Sequence, residues 1–288
     1  MSFRTVVITK QSKLSYKNKY LAVKSDLDEN YIHLSEIDTI IVDSIAVSIS
    51  SYLLKELSDN KINIIFCDEK HNPFGELSSF YSSHNTSKKI LMQTKWSSKQ
   101  KDELWSLIVK NKIVNQAMLL NKIKSNNYDL VMSYLSEVRN GDKTNREALA
   151  AKVYFSELFG KTFDRSKADS VNAGLNYGYT ILCSTFNRFV TIHGYSTCIG
   201  FHHCNRQNKF NLSSDLMEPF RPFVDEMVFG NKTRELDNEY KAELIGLLYN
   251  ECTYDGNRME LLNAIELYSL SVFDSLATGR TIGEVGFC

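Results

Sequence analysis

SSHNTSKK, residues 82–89, divides two kinds of sequence. It is small and polar, without the residues that build a core, as a connection between folded units should be. Before it, β-branched residues alternate with polar ones. FRTVVIT (3–9), KLSYKN (13–18), KYLAVKS (19–25), YIHLS (31–35) and DTIIVDS (38–44) read as strands with short polar joints, and KINIIFCD (61–68) as a compact buried one. Ile45, Ile49, Leu53 and Leu57 recur at helical period, which predicts one helix over 44–60. KHNPFGELSSF (70–80) reads as a turn at Pro73 and Gly75 followed by a short strand. After residue 89 the patterns turn helical: 102–124, 128–139, 145–159, 170–193, then 218–230, 232–251 and 257–277, with a loose tail behind. The expected fold is α+β. A small β-rich domain (1–82) is followed by a linker (83–95) and a larger all-α domain (96–288).

Composition sets few limits. The 288 residues are 43% hydrophobic, enough for a sizeable core, and the formal net charge is zero, so any nucleic-acid surface must be local. Six scattered cysteines without CxxC spacing suggest reduced thiols and a cytoplasmic protein rather than a disulfide framework or a zinc ribbon. No apolar run is long enough for a membrane span.

Chemistry concentrates in a few stretches. Thr144 is placed to cap NREALAAKVYFSELF (145–159), with Glu147 three residues on completing a capping box, so Glu147 has an ordinary structural explanation. In GFHHCNRQNKFNLSSDLMEPFR (200–221), Asp215 and Glu218 share a helix face and repel unless a cation lies between them. Arg221 could be that partner at a solvated surface. Pro219 and Pro222 instead place the start of regular helix near Pro219, putting the acidic pair at or before a helix N-terminus. Adjacent His202 and His203 point to opposite sides of an extended chain, so at most one joins a given site. One histidine with carboxylates suits Mn²⁺ or Mg²⁺, and imidazole leans towards Mn²⁺; zinc would need a further spaced His or Cys. Asn172, Asn176 and Tyr179 share a face of the 170–193 helix, with Arg188 further along. That stripe could hydrogen-bond phosphate and sugar, or link helices. Residues 88–124 hold nine lysines and two acids, with Trp96, Trp105 and Gln116 interleaved, either a phosphate-binding patch or a solvated face.

Three segments together resemble a known family. NREALAAKVYFSELFG (145–160), NAGLNYGYTIL (172–182) and IGFHHCN followed by SDLMEPFRPFVD are similar, in order and spacing, to motifs of the CRISPR-associated integrases of spacer acquisition, the "Cas-one" proteins. The likeness runs over essentially the whole chain, and the Asp-Leu-Met-Glu-Pro-Phe-Arg-Pro run suggests the type II branch. The resemblance implies Glu147, His203 and Glu218 as metal ligands, with Asp215 supporting the site. His203 rather than His202 closes the Gly-aromatic-x-His run that starts at Gly200.

The implied reaction joins the 3′-hydroxyl ends of short foreign double-stranded DNA (prespacers) to the edges of a CRISPR repeat beside its leader, by transesterification with Mn²⁺ or Mg²⁺ as cofactor. Disintegration and endonuclease activity would follow from the same site. DNA contacts are expected from Lys88, Lys89 and Lys95 in the basic stretch, from Arg146, Arg188, Arg206 and Arg221, and from Asn172, Asn176 and Tyr179. The resemblance further implies a homodimer, with the β-rich domain (1–82) as its dimerisation domain, and a small ferredoxin-like second adaptation protein in a heterohexamer-type complex. In type II systems it adds the effector nuclease and a DNA-end-binding ring protein. Three other readings compete. One is a nuclease for branched DNA using the same residues. The second is a non-catalytic DNA scaffold in which 145–160 and 200–222 merely pack. The third, a small-phosphoester hydrolase, is disfavoured by the basic helices and by the lack of a phosphate-cradling glycine loop.

Overall fold

The computed structural model describes residues 4–26, 28–69, 73–77 and 85–288. The chain divides into two compact units, residues 1–84 with 191–193, and residues 85–190 with 194–288.

The first unit is built on two sheets. Strands β1 (Arg4–Ile8), β5 (Ile37–Val42) and β7 (Asn63–Cys67) run parallel in that spatial order, and β8 (Pro73–Glu76) closes the edge antiparallel to β7. The second sheet is ordered β4 (Glu29–His33), β3 (Tyr20–Lys24), β2 (Ser12–Lys17) and β6 (Val47–Ile49). Strand β5 is buried along its whole length, as expected of a central parallel strand whose two faces are covered. Leu14, Leu21, Ile40, Leu53, Leu57 and Ile64 form the middle of the core.

The helix expected over 44–60 is shorter. Residues 47–49 pair in parallel with β2, and α1 runs Ser51–Asp59. The boundary is set at Ser50, whose extended backbone lets its hydroxyl accept from the Leu53 N–H, a good N-cap. Residues 70–72 and 78–84 of the expected turn, strand and linker lie outside the described residues. Within the rest of the expected linker, α2 (Thr86–Gln93) is a helix.

The second unit is mostly helical. Its axis is α3 (Ser98–Lys122), opened by a reciprocal Ser97–Gln100 capping box that starts it four residues before the expected 102. Around it pack α4 (Tyr128–Ser133), α5 (Arg146–Phe159), α8 (Arg221–Gly230) and α10 (Leu261–Thr278). Helix α6 (Ser170–Ile192) begins as expected, Asp169 accepting from the Asn172 N–H, and ends before Gly194 at φ 78°. Gly178 lets α6 approach α8: a Cβ there would sit 2.5 Å from Val224 Cγ1.

Three expected helical or loose regions differ. Residues 251–260 form a hairpin, β9 (Glu251–Tyr254) and β10 (Asn257–Glu260), turning through Asp255 and Gly256 at positive φ. Asp-Gly is a strong two-residue hairpin signal that outweighs the helical period around it. The helix expected over 232–251 is α9 (Asn238–Gly246), started by Asp237 accepting from the Tyr240 N–H. The tail is tied down: β11 (Val285–Gly286) pairs with β9, and Val285 exchanges hydrogen bonds with Asn111, its N–H donating at 3.1 Å and its carbonyl accepting at 2.8 Å. The domain expected as all-α thus carries a small three-stranded sheet. Among the described residues, no helix is long and apolar enough to cross a membrane.

Candidate active site

Asp215 organises the site. It lies near the end of α7 (Asn211–Leu216) and is fully buried. Its carboxylate accepts the backbone N–H groups of Phe201 (2.7 Å), His202 (3.1 Å) and His203 (2.9 Å), and pairs with the His203 ring at Nδ1, 2.6 Å away. A buried carboxylate needs such partners to offset its desolvation. Gly200 is required for the loop to come this close, because a Cβ there would meet the His203 carbonyl at 2.5 Å and Asp215 Oδ2 at 2.6 Å.

The two histidines do not point to opposite sides as an extended chain would have them: the backbone bends at 201–202, and their ring centroids lie 5.6 Å apart with the rings nearly perpendicular. His203 is turned to Asp215. The hydrogen bond it donates to Asp215 raises its pKa above the ordinary imidazole value against the effect of burial, with Glu218 adding to the rise. His202 stacks flat on Trp105, centroids 3.9 Å apart at 3°, and Trp105 meets His203 edge-on. One indole therefore holds both rings.

Glu147 does not complete a capping box. Thr144 donates its hydroxyl to the Glu137 carbonyl at 2.8 Å, and Asn145, in the left-handed region, precedes α5 without a side-chain cap bond. The cap comes from Asp142, whose two carboxylate oxygens accept from the N–H groups of Arg146 (2.9 Å) and Glu147 (3.0 Å). The Glu147 side chain is thereby available to reach Lys112.

Glu218 heads a single 3₁₀ turn, residues 218–220, between α7 and α8, and is 3% exposed. The solvated reading of the acidic pair is excluded by this burial. Glu218 Oε1 accepts from Arg221 Nε at 2.9 Å and Oε2 from Lys112 Nζ at 2.5 Å. Burial would raise its pKa, but Arg221 and Lys112 more than offset that and hold the carboxyl down at about 2. Lys112 also donates to Glu147 Oε1 at 2.6 Å. Burial opposes its charge; Glu218 first and Glu147 second reverse the effect, and its pKa is raised.

Lys112 is the site residue that the sequence reading missed as an individual. In sequence it is one of the lysines of the basic stretch, yet its position carries a signal. It falls between Ile108 and Val109 on one side and Gln116 and Leu119 on the other, all buried, at helical spacing along α3. A lysine on an apolar stripe needs a carboxylate partner inside the fold.

Of the expected DNA contacts, Arg221 is at the site, its guanidinium 4.5 Å from the Tyr179 ring centroid. Tyr179 donates its hydroxyl to Asp225, which Tyr154 also reaches at 2.8 Å. Burial lifts Asp225 to about 6 despite these two bonds. Asn172 and Asn176 accept from Arg165, at 2.5 and 2.7 Å, so the stripe on α6 is joined to the 164–165 turn. Arg146 pairs with Glu137 at 2.9 Å. Arg188 sits on α6 roughly 13 Å along the helix axis from Tyr179. Arg206 is exposed three residues beyond His203. Lys88, Lys89 and Lys95 lie on α2 and just after it, and Gln93 fixes this helix to the loop before the histidines. It donates to the carbonyls of Ser196 (2.8 Å) and Ile199 (2.7 Å).

Glu147, His203 and Glu218 fit a divalent ion by donor chemistry. The two carboxylates already converge on one cation, and Asp215 on Nδ1 leaves Nε2 available to a ligand, the carboxylate–histidine pairing common behind metal sites. Among the described residues, no three His, Cys, Asp or Glu side chains already close on one ion, and it is Lys112 that stands between Glu147 and Glu218.

The family model described as CRISPR associated protein Cas1 matches residues 5–251. A curated relative, the CRISPR-associated endonuclease Cas1 of Neisseria meningitidis serogroup C (strain 8013), is 33% identical over 275 residues, covering 92% of this chain and 90% of its own. Among solved structures, a CAS1 protein from Thermotoga maritima superposes with a TM-score of 0.79 at 18% identity, covering 98% of this chain and 99% of that one. A casposase bound to integration product superposes at 0.77 with 16% identity, covering 97% and 92%. At those identities the two structures carry the fold alone. With the family model spanning both units and a relative of this identity over nearly the full length, the chain belongs to the CRISPR associated protein Cas1 family.

Proposed function

We propose that this chain is a metal-dependent DNA endonuclease and integrase of CRISPR adaptation. It joins the 3′-hydroxyl ends of short foreign DNA to the edges of a CRISPR repeat. The observation that carries the reading is the convergence of Glu147 and Glu218 on one cation position, with the Asp215–His203 pair in the same unit. Family membership supports it, as does the named activity of the Neisseria relative.

Glu147, His203 and Glu218 would hold Mn²⁺ or Mg²⁺. A divalent ion held there would supply positive charge against the phosphodiester charge that builds up in the transition state. Asp215 keeps the His203 ring in one orientation and one tautomer, with the proton at Nδ1 and Nε2 facing the site. Arg221, braced by Glu218 and lying over Tyr179, offers its remaining N–H groups to a phosphate oxygen. Asp215 is fully buried and His203 would use both ring nitrogens, so the proton of the attacking hydroxyl passes to solvent. No covalent enzyme intermediate is required. Lys88, Lys89 and Lys95 extend a positive surface along α2 for the DNA backbone.

The family reading brings a homodimer and a small ferredoxin-like second adaptation protein. The type II effector nuclease and the DNA-end-binding ring protein follow if the Asp215–Pro222 run marks that branch. The test uses a labelled short duplex, a plasmid bearing a CRISPR repeat, and Mn²⁺, with and without the small partner. Label joined to the repeat edge, lost in Glu147→Ala and His203→Ala and retained in His202→Ala, is the expected result. Plasmid cutting without joining would replace the integrase with a nuclease. DNA binding with neither activity would reduce the chain to a scaffold.

A further inference from the structure

Lys112 is 8% exposed, on a helix packed from several sides, and its ammonium has two carboxylate partners from two different elements. Glu147 Oε1 and Glu218 Oε2 are therefore no more than about 5 Å apart. An octahedral divalent ion holds neighbouring oxygens roughly 3 Å apart, a span that small side-chain rotations reach from here. The ammonium thus stands where the two carboxylates would close on an ion, and both cannot occupy that position. A cavity of about 150 Å³ adjoins it, with Lys112, Gln116, Glu218, Arg221 and Asp225 among its walls. Gln116 is 1% exposed, and its Oε1 is buried with no hydrogen-bond partner. It lies one helical turn beyond Lys112 on α3, so a rotated Lys112 side chain has an acceptor prepared for it.

We propose that Lys112 is a tethered counter-ion for Glu147 and Glu218 that a divalent ion must displace, the ammonium then moving into the adjoining cavity towards Gln116. This rests on the metal-dependent reading of the site and adds to it a positioning residue that sets metal affinity. Before the ion enters, Lys112 holds two otherwise repelling carboxylates together. When it enters, the charge that Lys112 carries is freed to face a bound phosphate from the cavity side.

The test is calorimetric titration of Mn²⁺ into the full chain without DNA, with thermal melting in parallel. Variants are Lys112→Met, Lys112→Arg, Gln116→Leu and Glu218→Gln. With its competitor removed, Lys112→Met should bind Mn²⁺ at least about tenfold more tightly than the wild type. It should melt lower without the ion and gain more on adding it, since Mn²⁺ then supplies the missing positive charge. Lys112→Arg keeps a cation that the cavity accommodates poorly, and should bind Mn²⁺ more weakly than the wild type. Gln116→Leu removes the waiting acceptor and should weaken binding severalfold. Wild-type binding that is lost in Glu218→Gln but unchanged or weakened in Lys112→Met would overturn the proposal while leaving the metal site standing. Mn²⁺ binding indifferent to Glu218→Gln would overturn the metal reading itself. Should Lys112→Met fail to fold even with Mn²⁺ present, Lys112→Arg and Gln116→Leu decide, and wild-type affinity in both would refute the displacement.

Discussion

Replacing Asp215 by alanine removes one buried carboxylate and strands four donors at once: three consecutive backbone N–H groups and the His203 ring. A hydrogen bond to a charged group contributes roughly 1.5–3 kcal/mol, and a buried donor left unmade costs roughly 1–3 kcal/mol. The Phe201 end is buried and the His203 end is half exposed, so water recovers part of the loss there. A net cost of about 4 kcal/mol follows from these values. The unit carrying the site has about 200 residues, for which each kcal/mol shifts melting by roughly 2–4 °C. Asp215→Ala should therefore melt roughly 8–16 °C lower by calorimetry. The His203 ring also loses its orientation, so Mn²⁺ affinity should fall by roughly 10- to 100-fold, as for other partners behind a metal ligand. Hydrogen exchange gives the local readout, with the amides of residues 201–203 losing protection ahead of the rest of the unit. Wild-type melting together with unchanged exchange at 201–203 would refute the idea that this carboxylate builds the histidine loop.

Other outcomes follow from single contacts. Asp142→Ala should destabilise by about 2 kcal/mol in urea unfolding, because the Arg146 and Glu147 N–H groups lose their acceptors at the start of α5. A loss below half of that would mean that Asp142 is not the cap. Asp225 is raised to about 6, so its share of stability is full below the ordinary carboxylate value and is lost as pH rises through about 6. Between pH 4 and 7 the wild type should lose about 2 kcal/mol relative to Asp225→Asn, and a pH-independent difference in unfolding free energy would sink this. His203 is also raised, so its ion pair with Asp215 stabilises below the ordinary imidazole value and weakens as pH climbs through the raised one. A divalent ion needs the neutral ring. Mn²⁺ binding should strengthen over that same rise and flatten in His203→Gln, and binding that weakens with pH would exclude His203 as a ligand.

Much of the site was readable along the chain because it is local. Gly200, the histidine pair and the Asp215–Glu218 spacing lie within one short stretch, and two prolines announced that this stretch was no ordinary helix. What the prolines could not tell was direction. Asp215 turned out to serve backbone amides and Glu218 to face Lys112 and Arg221, a difference of burial and partners that spacing does not encode. Glu147 shows the converse. Its position three residues after a threonine satisfied a capping rule, yet a longer-range carboxylate, Asp142, took the cap and released it. Asn172 and Asn176 had two readings on sequence, and Arg165 bonds to both. The His202 ring found its partner in Trp105, nearly a hundred residues away in the chain.

The sequence by itself determined the division into a strand-rich and a mainly helical region, since hydrophobic period and turn residues act over a few positions. It also determined the family, through three motifs kept in order. Only the tertiary structure decided which charges meet. Lys112 belongs to a basic stretch by sequence and to an acidic site in space, because a buried face of α3 carries it between α5 and the turn before α8. The tail from Thr278, which reads as loose, is held by Asn111 and Asn115 of the same helix. Both outcomes have one physical reason. Burial makes an unpaired charge or amide costly, so the fold settles where distant partners satisfy them, and chain distance is not part of that balance.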